Sequence, residues 1–202
     1  SAVHSLDRKK KRKIKAIGSH ISYDVGNEFE QVRWFTMLRD PIDRVISSYY
    51  FSLSHDEYKK WIIENNATLS DFSARDLIEN TQTKIIARNS TILNALEKEP
   101  VGLWENTDIG NILYQRAKER LTSFEVIGIY EEYERSLKLF KKVFNWPFEF
   151  DVATNVTPKR PKREALDAPT LESIAKYNKY DVMLYEHARE LFYEQCCKYN
   201  IS

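Results

Sequence analysis

The sequence predicts an α/β fold in which a parallel sheet is flanked by helices. Three observations carry that expectation. Three short segments are rich in branched and aromatic residues. Each is followed by helical sequence, the pattern of strands joined by helical crossovers. The length, 202 residues, suits one such domain with a sizeable core and is too short for two of ordinary size. No internal repeat is apparent, so residues 1–202 are expected to form a single domain, with residues 1–12 as a basic arm.

The first segment, KIKAIGSHISY (13–23), has a short apolar core of Ile14, Ala16 and Ile17 that stops at Gly18, which suits a buried strand and a turn. The second, RWFTMLR (33–39), ends in Arg39. A helix is expected at once, because Ile42, Val45, Ile46, Tyr49, Tyr50 and Leu53 recur every three or four residues and Pro41 suits a helix entrance. LSDFSARDLIENTQTKIIA (69–87) and TDIGNILYQRAKERLTS (107–123) also read as helices. The third strand segment is FEVIGIY (124–130), followed by EEYERSLKLFKKVF (131–144), whose acidic start and basic finish match a helix dipole. Residues 145–147, Asn-Trp-Pro, end that helix. A loop with Pro158, Pro161 and Pro169 follows, and the chain from Thr170 to about Tyr199 reads as two helical pieces broken near Asn178.

Charged residues make up 30% of the chain, but the net charge is only +1, so global charge points to no nucleic-acid partner. Local charge is uneven. RKKKRKIK (8–15) is basic at seven of eight positions and PKRPKR (158–163) at four of six. Each reads either as a solvated surface run or as a holder of an anionic ligand. The two cysteines, Cys196 and Cys197, are adjacent, which suits neither a mutual disulfide nor a zinc site, so reduced structural thiols are expected. No apolar run approaches a membrane span, and a cytoplasmic location is favoured. Four N-x-S/T triplets, at Asn66, Asn89, Asn155 and Asn200, would suit the secretory route instead.

Ligands of parallel sheets bind beyond the carboxyl ends of the strands, where Arg39 and His20 are expected to lie. A guanidinium there is permanently charged and presents a planar fork of donors that matches a phosphate. The helix after it offers free N–H groups and the positive end of its dipole. Ser47 falls about 140° from Ile42 on the helical wheel, off the apolar stripe and too far along to act as a cap. The plainer alternative is an Arg39–Asp43 surface pair and an exposed serine.

FTMLRDPIDRVISSYYF (35–51) resembles the 3′-phosphate-binding segment of sulfotransferases that use 3′-phosphoadenosine-5′-phosphosulfate (PAPS), with Arg39, Asp40, Pro41, Ser47 and the aromatics Tyr49–Phe51 in the family's pattern. It is most similar to the heparan sulfate 2-O-sulfotransferase and bacterial carbohydrate sulfotransferase branch. ENTQTKIIA (79–87), AKERLTSFEVIGIYEEYERSLKLF (117–140) and TPKRPKREALDAPTLESIAKYNKYDVMLYEHARELF (157–192) extend the likeness over about residues 13–195. The resemblance implies a P-loop nucleoside-kinase-like architecture and transfer of a sulfuryl group from PAPS to a hydroxyl, of a carbohydrate. Adenosine 3′,5′-bisphosphate (PAP) would be the product, and no metal would be needed. Arg39 and Ser47 would hold the 3′-phosphate, with Lys162 or Arg163 closing over it. Gln82 and Lys84 would face the acceptor. His20, in the family's Gly-x-His segment, would be the base, a role within reach of an imidazole with an ordinary pKa near 6.5.

The family's 5′-phosphosulfate loop has no counterpart in residues 1–20. It is expected to lie upstream in a longer protein, in which case a membrane anchor and a Golgi location are open, or to have been lost. In the second case the chain would be a non-catalytic module binding a nucleotide or a sulfated glycan.

Overall fold

A computed structural model describes residues 7–17, 23–75, 78–88, 107–146 and 160–202. Two strands, β1 (Phe35–Leu38) and β2 (Val126–Ile129), pair in parallel, with Phe35 opposite Val126 and Leu38 opposite Ile129. All four β2 residues are buried, as a parallel strand covered on both faces requires. Gly128 is needed there. A Cβ on it would lie 2.8 Å from the Phe140 ring and 3.2 Å from the Met37 methyl carbon, so a side chain would push a helix off the sheet.

Around the sheet stand α1 (Arg8–Lys11), α2 (Pro41–Leu53), α3 (Asp56–Glu64), α4 (Leu69–Ser73), α5 (Thr81–Ala87), α6 (Thr107–Ser123), α7 (Tyr133–Phe144), α8 (Ala168–Tyr177) and α9 (Lys179–Tyr199). The larger apolar core joins both strands to α5, α6, α7 and α9 through Leu38, Ala117, Ile127, Leu139, Leu184 and Phe192. A second core joins α2 to α3, α4 and α8 through Val45, Ile46, Ile62, Phe72 and Ile174. The stripe read from α2 is the face buried there. Asn145 and Asn200 end α7 and α9 in the left-handed conformation that asparagine tolerates. Cys196 is buried, Cys197 is exposed, and both are free thiols.

Four points differ from the expectation. Residues 14–17 carry no strand pairing, so the described sheet has two strands and not three. They line part of a cavity beside β1 instead. The helix expected over 69–87 is two helices, because Asn80 adopts a left-handed φ of 45° and starts α5 afresh. The sequence reading also passed over α3, whose spacing is masked by its polar residues. The basic run is not a free arm throughout: Lys11 is paired with Glu28 and Arg12 with Glu30.

Candidate functional site

Arg39 leaves β1 one residue before the helix cap. Its guanidinium lies 4.6 Å from the centre of the Tyr130 ring, and its buried Nε has no hydrogen-bond partner among the described residues. Arg39 makes no ion pair among the described residues, so the Arg39–Asp43 surface pair is not formed. Burial, and after it the positive charge of Arg160, push its pKa below the usual arginine value, against a smaller opposite pull from Tyr130, Asp43 and Glu131. A half-buried arginine in no direct ion pair among the described residues, beside a second cation and with the Asp43 and Glu131 carboxylates only at longer range, is a site that an anion would stabilise.

The start of α2 differs from the expectation of free N–H groups. Asp40 is the N-cap, and its Oδ1 accepts from Ile42 N at 2.9 Å and Asp43 N at 3.1 Å. Pro41 has no N–H, and Arg44 N donates to Asp40 O. Aspartate outcompetes an incoming anion for these amides because it is already placed as a cap. Anion binding at this corner therefore falls to side chains.

Asp40 is held in turn. Its N–H donates to Glu131 Oε1 at 3.0 Å, and Arg163 Nη1 lies 3.4 Å from its Oδ2. Tyr185 donates its O–H to Glu131 Oε2 at 2.7 Å. Burial, then that carboxylate, hold the Tyr185 hydroxyl far above the usual phenol range.

The other expected residues are distributed as follows. Arg163 reaches the α2 cap through Asp40, while Lys162 is exposed. Ser47 is half-buried, and its hydroxyl has no partner among the described residues. Lys84 is half-buried on α5. Gln82 is turned toward the strand exit: its Oε1 accepts from Arg39 N and its Nε2 donates to Arg39 O, both at 2.9 Å. His20 lies outside the described residues. A cavity of about 1000 Å³ runs beside β1, and Arg39, Arg44, Ser48 and Gln82 form part of its wall. Ser48 rather than Ser47 lines it.

Sequence reasoning missed a buried polar network behind Arg39. Asp181, fully buried, accepts from Gln82 N at 3.1 Å and Thr83 N at 2.7 Å, capping α5 from α9. Asn80 returns the contact, its Oδ1 accepting from Tyr180 N and Asp181 N at the start of α9. Arg44 lies 3.7 Å from Asp181 and donates to Asn178 Oδ1 at 3.1 Å and Ile78 O at 2.6 Å. The polar residues flanking the helix break at Asn178 were the available signal.

A model of the sulfotransferase family matches residues 2–188. The chain belongs to the sulfotransferase family. No curated protein matches it. Membership carries sulfuryl transfer as the general chemistry and implies a hydroxyl-bearing acceptor. The mixed α/β architecture of this sulfotransferase, a parallel pair of strands flanked by helices, agrees with that family. Among the described residues, no group of three or more His, Cys, Asp or Glu is placed to hold a metal, and no helix is long and apolar enough to cross a membrane.

Proposed function

We propose that this sulfotransferase takes its sulfuryl group from PAPS and transfers it to a hydroxyl of a carbohydrate. The observation that carries the reading is Arg39: a half-buried guanidinium at the exit of β1, in no direct ion pair among the described residues, on the wall of a large cavity. Arg39 and Ser47 hold the donor's 3′-phosphate. Arg160 adds charge beside Arg39, and Arg163 or Lys162 covers the bound nucleotide from the loop. The acceptor approaches from the side of Lys84, and His20 is the base. In the reaction, the acceptor oxygen forms its bond to sulfur as the bond from sulfur to the 5′-phosphate oxygen breaks. The electron pair leaves with PAP, and the hydroxyl proton passes to the imidazole. Positioning and fixed positive charge stabilise the in-line transfer, by analogy with phosphoryl transfer.

Calorimetry with PAP and adenosine 5′-monophosphate tests the donor assignment. PAP is expected to bind much more tightly, and equal affinity for the two removes it. Transfer of label from PAPS to an oligosaccharide tests the rest. Tight PAP binding with no turnover would leave a nucleotide-binding module.

A further inference from the structure

Gln82 holds the backbone of Arg39 by both ends of its carboxamide. Strand geometry explains why that position is open to it. In β1, Trp34 O accepts from Glu125 N, next to β2, so residues 34, 36 and 38 direct their backbone groups toward β2. Arg39 therefore directs its N–H and C=O toward the opposite edge, and the Gln82 amide satisfies both. Gln82 is itself fixed, since its own N–H and that of Thr83 donate to the buried Asp181 carboxylate. A line of directed contacts thus runs from α9 through α5 to the one arginine that the donor reading depends on.

We propose that Gln82 is a positioning residue, setting the direction in which Arg39 projects and so the preference for a 3′-phosphorylated nucleotide. The inference rests on the reading of Arg39 as the 3′-phosphate holder. The far end of Arg39 has the Tyr130 ring face to lie against, and the Asp43 and Glu131 carboxylates act on it only at longer range, with no direct ion pair among the described residues to orient it. Its aim is then set at the near end. The two Gln82 hydrogen bonds fix the N–H that fixes φ and the C=O that fixes ψ, and a small error there becomes a large displacement at the guanidinium. Misplacement of this order is enough to weaken recognition of a phosphate strongly.

The test is the ratio of PAP to adenosine 5′-monophosphate affinity, measured by calorimetry for the wild type, Gln82→Ala, Arg39→Ala and the double variant. Gln82→Ala is expected to lower the ratio about tenfold, and to lower it little further once Arg39 is already alanine. Gln82→Glu supplies a signature that a merely structural role would not. Its carboxylate can accept from Arg39 N but has no hydrogen for Arg39 O, whereas the protonated acid offers both. Relative to the wild type at each pH, its ratio should recover as pH falls toward about 4, through the ordinary glutamate range. A wild-type ratio in Gln82→Ala, with or without a fall in Tm, overturns the proposal, as does full additivity in the double variant. Should Gln82→Ala not fold, a flat pH response in Gln82→Glu overturns it instead. If Arg39→Ala collapses the ratio while Gln82→Ala keeps it, only this inference fails. If Arg39→Ala also keeps it, the 3′-phosphate assignment fails as well.

Discussion

Arg39 pairs its charge with no carboxylate among the described residues, which gives its removal a distinct outcome. Arg39→Ala should weaken PAP binding by about 2 kcal/mol or more, through loss of a charge-assisted bidentate contact. Stability should hardly fall, since no ion pair is broken. Ser47→Ala, losing one neutral donor, should weaken PAP binding by roughly 1 kcal/mol, read in the same titration. For His20→Ala, turnover should drop about 10²-fold or more while PAP affinity holds, and the rise of rate through the histidine pH range should vanish. A proportional fall in turnover and affinity would exclude His20 as the base. The place of Arg39 at the strand exit was legible in the sequence because it is local: a strand, an arginine, a proline and a helix in succession. Arg44 and Asp181 were not. Arg44 meets Asn178 across 134 positions and Gln82 meets Asp181 across 99, distances at which no periodicity or spacing rule operates.

Caps decide where the helices begin, and they account for what was and was not readable at this scale. The break near Asn178 was legible from its polar neighbours, and Asp167 caps α8 through Thr170 N as a local rule would have it. The split between α4 and α5 was not, because Asn80 is stabilised in its left-handed turn by contacts with α9. At α4, Thr68 and Asp71 form a capping box: Thr68 Oγ1 accepts from Asp71 N, and Asp71 Oδ2 accepts from Thr68 N at 2.8 Å. Thr68→Ala should lower stability by about 1 kcal/mol in urea titration at neutral pH. The pH dependence has a definite sign. Hydrogen bonds from the Thr68 side chain, then its backbone, hold the Asp71 carboxyl below the usual value of about 3.9. Its contribution is therefore complete above that value and is lost as pH falls through the lower folded one. The gap between wild type and variant should narrow over the same acid range. A gap unchanged down to pH 2 would mean that the box is not the cause.

Over the whole molecule there are two apolar cores, and the polar network of Arg44, Asn80, Asn178 and Asp181 ties α2, of the second, to α9, of the first, behind the strand exit. The parallel α/β class was legible because strand and helix segments alternate. The strand count was not, since an apolar run such as Ile14–Ile17 becomes a strand only if a neighbour takes its backbone hydrogen bonds. Asp181→Ala should be among the more damaging single changes. It strands Arg44 and leaves the Gln82 and Thr83 amides without their acceptor, and should cost about 3–5 kcal/mol, measured as a shift of the urea midpoint with unchanged slope. A loss below 1 kcal/mol would show that water replaces the carboxylate there.

The crossed caps of α5 and α9 have a consequence for the time course of opening. Amides in the first turn of a helix ordinarily exchange their hydrogens with solvent early, because no carbonyl of the same helix protects them. Here Gln82 and Thr83 are bound to Asp181, while Tyr180 and Asp181 are bound to Asn80, and both acceptors are buried. None of the four can be released without parting the two helices. In deuterium exchange they should behave as late-exchanging positions with a common rate, and loss of either cap should accelerate all four together.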